Sequence, residues 1–299
     1  MANKNLDKKS QGYQQLVFVA DYKLALHKDL WFDFRLSYDM LDSETERAEN
    51  ATNNYREDEY YFRSILHWRP HKNHRLALGT EYSHEIFGLN SPGYPNLDPR
   101  IESVGINQSS WSTDTVSFLG EHQWNISEQF TSFLGLRLDQ NDYTSDLYST
   151  RAALIFTPNS QDTVKLIHNR SVRRMDESEL RKNELVSSTT TDTEKINNFE
   201  LRYERQHTEE FWSGLSAFYV DYDIIAWNGS QNKTVPLGKL NYYGLELETV
   251  YQNDTYKISL AHSFIKHLDF KSENADQFNN VTASHLGYGD DLANWYNHQ

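Results

Sequence analysis

The groups in this sequence best able to do chemistry are carboxylates, imidazoles and ring–guanidinium combinations. Its 299 residues include no cysteine, which excludes a thiol nucleophile, a disulfide framework and a Cys-bound metal. Glu246 and Glu248 alternate with leucines, so an extended chain puts both carboxyls on one face ~7 Å apart. That separation suits the acid and base of an inverting glycosidase. Glu200, Arg202 and Glu204 repeat the spacing with a cation between the acids, so a ladder of charges pairing across strands explains both sets better. His67, His71 and His74 offer imidazoles to a metal, but one lies in a strand-like run and two in a break, without helical support, and they read as solvated polar groups. The acidic set Asp42, Glu44, Glu46, Glu49, Glu57, Asp58 and Glu59 has oxygen donors for calcium but not the D-x-[DN]-x-[DN]-G order, and reads as a solvated loop. Tyr94, Arg100 and Trp111, among Gly and Pro in segment 87–112, could grip an anionic or aromatic ligand. With Arg173 they form the expected ligand-binding set; no catalytic residue, metal or cofactor is expected.

The elements that must carry these residues follow from composition and period. With 29 Lys+Arg against 43 Asp+Glu the net charge is −14, the wrong sign for nucleic acid. A mean hydropathy of −0.78 alongside 7 Trp, 19 Tyr and 15 Phe is too polar for a helical membrane protein and too aromatic for disorder. No run of 18 apolar residues occurs, and residues 1–12 lack the apolar core of a secretory signal. A transmembrane β-barrel reconciles these facts, since lipid-facing and lumen-facing residues alternate and each strand averages to neutral.

The alternation is present. Leu16, Phe18, Ala20, Tyr22, Leu24 and Leu26 share one parity, and after a short break Leu30, Phe32, Phe34, Leu36, Tyr38 and Met40 share another, with Asp33, Arg35, Ser37 and Asp39 opposite. The pattern continues through about twelve strands, with short breaks near 28, 72, 127, 160, 208 and 254. Longer polar segments occupy 41–57, 87–112, 141–147, 172–196, 226–240 and 266–295. Short turns on one side and long loops on the other is the plan of an outer-membrane barrel. Rings should gather at both membrane surfaces. The expected belts are Trp68, Trp124, Phe130, Phe156, Trp212 and Tyr256 beside the turns, and Tyr38, Tyr60, Tyr82, Tyr222 and Tyr243 beside the loops. Within segment 172–196, Asp176-Glu177-Ser178-Glu179 ahead of Leu180 suggests a short capped helix.

Several strings then resemble the barrel of a TonB-dependent outer-membrane receptor. Val116–Glu121 followed by Gly135-Leu136-Arg137-Leu138-Asp139 resembles its "F-x-E … G-L-R-Y-D" strand pair, and Arg151–Pro158 its "P-R-L-x-L-x-Y-x-P". Lys165–Arg173, Glu194–Glu204 and Tyr243–Glu248 are similar to three further family strings, in the family's order. Met175 and Thr193 stand where the family has proline, and the absence of histidine from 173–193 disfavours haem. The resemblance implies a plug, a TonB-contacting box and a barrel of 22 strands. This chain, with residues 1–12 a disordered or truncated segment and 13–299 a partial barrel domain, reads as an internal piece. It further implies the bacterial outer membrane, partners in outer-membrane lipid and in TonB through the plug, and uptake of a scarce nutrient, first of all a ferric siderophore. A passive porin-like or adhesion barrel would share the alternation, and a soluble β-rich carbohydrate-binding protein or hydrolase would share the aromatics.

Overall fold

A computed structural model of the chain describes residues 8–47, 52–89, 111–175, 180, 193–228 and 233–272. Twelve strands follow one another: β1 (Lys8–His27), β2 (Leu30–Arg47), β3 (Thr52–His71), β4 (His74–Leu89), β5 (Trp111–Asn125), β6 (Phe130–Asn141), β7 (Leu147–Phe156), β8 (Asp162–Arg173), β9 (Glu194–Gln206), β10 (Phe211–Asn228), β11 (Lys233–Gln252) and β12 (Lys257–Ser272). They make a single antiparallel sheet in sequence order, with β1 and β12 at its two edges. Six tight turns impose six of the eleven neighbour pairings, because an antiparallel return needs only a few residues, and the longer segments join the resulting hairpins in sequence order.

The turns share one device. Ser127 Oγ accepts the amides of Gln129 and Phe130 at 3.2 and 3.1 Å, Asn159 Oδ1 those of Gln161 and Asp162, Thr208 Oγ1 those of Glu210 and Phe211, and Asn253 Oδ1 those of Thr255 and Tyr256. A short side-chain oxygen thus satisfies amides the ladder cannot reach. In the two tightest turns His27 and His71 take that role through Nδ1, accepting from Asp29 and Asn73 at 3.4 and 3.3 Å.

At the opposite end the strands run further than their alternation. The segments expected as loops at 41–57 and 226–240 are largely strand, since β2 pairs with β3 from Leu30↔Trp68 to Glu46↔Thr52 and β10 with β11 as far as Asn228↔Lys233. Beyond the membrane both faces of a strand meet water, so the apolar parity that marks it is lost while its hydrogen-bond ladder continues.

Burial is inverted relative to a water-soluble protein. Among the described residues the buried apolar ones are few: Leu147, Met175, Leu180, Val220, Ile224, Ile225, Val235 and Leu237. Large apolar side chains at mid-strand are instead exposed, such as Leu36, Leu78, Phe118, Leu134, Leu136, Leu166, Leu201 and Leu247, and register pairing sets them all on one face. Water does not tolerate a continuous apolar surface of this extent; lipid does. At the turn end the outward rings are Trp68, Trp124, and Phe130 stacked on Phe156 at 4.5 Å; at the loop end they include Tyr38 against Tyr60 at 5.0 Å, Tyr82, Tyr219 and Tyr243. Two expected belt members face the other way. Trp212 and Tyr222 have the parity of Ser216 and Phe218, and Trp212 lies under the Arg202 guanidinium at 5.7 Å. Phe211 and Tyr219 hold the outward positions on β10.

Candidate functional site

The inward face carries charge in paired ladders. Arg137, on β6, is the centre of one: it donates to Glu81 of β4 at 2.6 Å, to Asp139 at 2.8 Å and to Ser117 Oγ of β5 at 3.0 Å. Arg202, on β9, is the centre of another, donating to Glu204 at 2.7 Å, Glu248 of β11 at 2.5 Å and Ser216 Oγ at 3.1 Å, while Lys165 shares the Glu204 carboxylate at 2.7 Å. On β1 and β2, Arg35 donates to both oxygens of Asp21 at 2.7 and 3.0 Å. An arginine fork can serve two acids at once: Arg137 and Arg202 each hold the acid two residues on in their own strand and reach over one intervening strand to a second acid, so an i, i+2 repeat of charges zips together. Glu248 is therefore engaged by an arginine and Glu246 stands directly across from Ser216, a structural ladder with no acid–base pairing between the two glutamates.

The ladders leave an unmet demand. Arg35 and Arg63 stand directly opposite each other on β2 and β3, and the buried Nε of Arg63 has no hydrogen-bond partner among the described residues. Like charges face to face are destabilising, and an orphaned donor costs about 1–3 kcal/mol unless something accepts from it.

The loop end is closed by a small apolar cluster. Trp111, the first residue of β5, sits between the rings of Phe87 at 5.5 Å and Tyr143 at 4.9 Å, each tilted by 36°, and packs on the buried Met175, Leu180 and Ile225. Arg174, just past β8, donates to Glu85 of β4 at 2.8 Å, with both side chains mostly buried. The two strands are separated by three others, so the start of segment 174–193 is drawn over the inward side of β5–β7. On the outer rim, past the Tyr60 ring, Arg56 donates to Asp58 at 3.1 Å, and this bond raises its pKa above the ordinary guanidinium value.

The residues singled out from sequence divide accordingly. Tyr94 and Arg100 lie outside the described residues, as do Glu49 and residues 176–179 of the expected helix, of which Leu180 alone is described. Trp111 is part of the cluster just given. Arg173 is exposed, and among the described residues its carboxylate partner is Glu194, at 2.5 Å. The three histidines do not come together as one set: His67 bonds Asp33 at 2.9 Å and stacks on Trp31, while His71, which caps a turn, and His74, which meets His122 at 3.0 Å, have ring centroids 6.2 Å apart. No group of three or more metal-binding side chains occurs among the described residues. Sequence reasoning missed the Arg174–Glu85 bond and the Met175 cluster, because nothing in spacing pairs residues that far apart in the chain.

Comparison with known proteins agrees with this architecture. The sequence model described as "TonB dependent receptor-like, beta-barrel" matches residues 2–298. No curated protein sequence matches significantly. Among solved structures, the FrpB iron transporter from Neisseria meningitidis is similar at a TM-score of 0.71 and 14% identity, over 93% of this chain and 46% of its own. A mutant of the ferric enterobactin receptor PfeA from Pseudomonas aeruginosa gives 0.69 at 15% identity, over 85% and 43%. The copper transporter OprC gives 0.66 at 13%, over 91% and 49%. The chain spans about half the length of these structures.

Proposed function

Since the chain belongs to the TonB-dependent receptor β-barrel family, whose members reside in the Gram-negative outer membrane and transport rather than catalyse, we propose that it forms part of the barrel of an importer for a scarce nutrient, a ferric siderophore first among the classes. Residues 13–299 are then one partial barrel domain, completed by further strands of the same receptor, because lipid does not tolerate unpaired edges. The observation that carries the reading is the two-faced sheet: apolar side chains exposed outward, and inward a charge ladder with an unserved arginine donor at Arg63. A wet, charged lumen of this kind suits a polar plug coupled to TonB. The iron, ferric enterobactin and copper named for the similar structures support a ligand from among metal ions and their complexes.

Capture belongs to the loop end. Arg173, exposed and held by one acid, and Arg100 supply cations for an anionic complex, with Tyr94 as a flat surface. Trp111 serves by fixing the loop bases through its cluster. The deciding experiment is uptake of radiolabelled ferric catecholate, against copper, in cells lacking other receptors. The expected result is TonB-dependent uptake saturating at low concentration, with half-saturation raised about tenfold by Arg173→Ala, roughly the loss of one charge-assisted contact. Uptake that persists without TonB and a stable open conductance would establish the passive pore instead.

A further inference from the structure

The outward rim of β8–β11 carries a feature that nutrient uptake does not use. Register pairing runs Leu201 against Ala217, Phe199 against Tyr219, Asn197 against Asp221 and Lys195 against Asp223, and continues onto β11 as Tyr219 against Tyr243 and Asp223 against Lys239. On the other side Arg170 of β8 pairs with Asn197, and Val172 with Lys195. All these positions share the outward parity of Leu201, so Lys195, Asp223 and Lys239 form a row four residues, roughly 13 Å, beyond the ring row of Phe199, Tyr219 and Tyr243, and Arg170 lies a half-step nearer to it.

Arg170, Lys195 and Lys239 line one cleft of about 450 Å³, with Tyr148, Ile224 and Pro236 among its walls. Asp223 is taken by Lys239 at 3.0 Å, and Asp146, the cleft's other acid, accepts from Tyr148 and Gln140 at 3.3 and 3.5 Å. Neither Arg170 nor Lys195 has an ion pair among the described residues. They are diagonal neighbours on adjacent strands, close enough for a guanidinium fork and an ammonium to hold one tetrahedral anion. The equivalent rim of β3–β5 is different: there the outward carboxylates Asp58 and Asp114 are bonded by Arg56, Tyr38, Tyr82 and His84. An unpartnered pair of cations is unexpected on the outside of a chain with net charge −14.

We propose that this cleft binds the phosphate of an anionic lipid headgroup in the outer leaflet, gripped by Arg170 and Lys195 with Lys239 at its edge. The placement favours lipid over a soluble anion. Arg170 and Lys195 have the outward parity of Leu201, and Arg170, two residues or roughly 7 Å beyond the ring row, comes within a side chain's reach of the headgroup zone that those rings mark, where basic groups meet lipid phosphates. It rests on the membrane placement of the sheet and is independent of which nutrient the receptor carries.

The test is native mass spectrometry of the full chain, folded and delipidated in detergent, titrated with diphosphoryl lipid A. Parallel arms use the dephosphorylated glycolipid and inorganic phosphate as competitor. The expected result is saturable binding of the diphosphoryl form. Arg170→Ala combined with Lys195→Ala weakens it roughly 30-fold, from about fivefold for each cation near an anionic lipid surface, while Lys195→Arg and the lumenal Arg151→Ala leave it unchanged. A heat-dependent shift in gel mobility confirms that each variant is folded. Equal affinity in a folded double variant, or equal binding of the dephosphorylated glycolipid, would overturn the proposal; displacement by millimolar inorganic phosphate would replace lipid with a free anion and overturn it as well.

Discussion

Leu136 and Arg137 are adjacent in β6, yet one is more than half exposed with no polar partner and the other is bonded to three neighbouring groups. The contrast extends across the sheet. Outward stabilisation comes from a solvent that is itself apolar and asks only that side chains carry no charge. Inward stabilisation comes from specific bonds, each dependent on a particular partner, which for Arg137 is Asp139 on its own strand and Glu81 two strands away. The outward face should therefore be sensitive to residue type and tolerant of shape, and the inward face sensitive to the identity of particular pairs.

The largest effect should follow from charging the lipid face. Leu134→Arg, near mid-membrane on β6, is expected to cost about 2–4 kcal/mol in a refolding titration into bilayers, whereas Leu134→Val should cost under ~1.5 kcal/mol. Next comes close packing on the inner face. A methyl group at Gly244 would sit 2.7 Å from the Phe264 carbonyl oxygen and closer still to the Phe218 ring, so Gly244→Ala should cost about 1–3 kcal/mol, visible as a lowered denaturant midpoint. Arg137→Leu should cost about 1–2 kcal/mol, since it strands Glu81 and Asp139 without their cation in a wet lumen, and the loss should shrink in a Glu81→Gln background. Smallest is Trp212→Leu, which removes one cation–π contact with Arg202 and should cost under ~1 kcal/mol. A cost near that of Leu134→Arg would mean that Trp212 has a role in the lipid belt after all.

Most of the fold was legible because period two is a physical statement about two solvents. Wherever a strand separates lipid from lumen, each residue must declare its side, and Phe118, Leu134 and Leu136 do so against Glu121 and Arg137. The declaration stops at the membrane surface, so the outer extensions of β2, β3, β10 and β11 read as loops although their ladders continue. Trp212 misled for a related reason: a ring near a turn suits a belt, but Gly214 leaves a bare patch on the inner face that Trp212 covers, with its Cη2 within 2.8 Å of where a Cβ would be. The ladders were foreseeable from i, i+2 charges on Glu200, Arg202 and Glu204, whereas the Arg174–Glu85 bond joins positions 89 residues apart and leaves no local trace. Of the ligand-binding set, the sequence pointed to exposed arginine at Arg173, but it could not show that Trp111 is enclosed by Phe87 and Tyr143.

The central claim is that one face of this sheet meets lipid and the other meets water, and the absence of cysteine makes it directly measurable. Single Cys variants at Phe133, Leu134, Leu136, Arg137, Leu138 and Asp139, spin-labelled in bilayers, report collision with oxygen, which concentrates in lipid, and with a nickel chelate confined to water. The account predicts high oxygen and low nickel accessibility at Leu134, Leu136 and Leu138, and the reverse at Phe133, Arg137 and Asp139. Equal nickel accessibility at both sets of positions would contradict it.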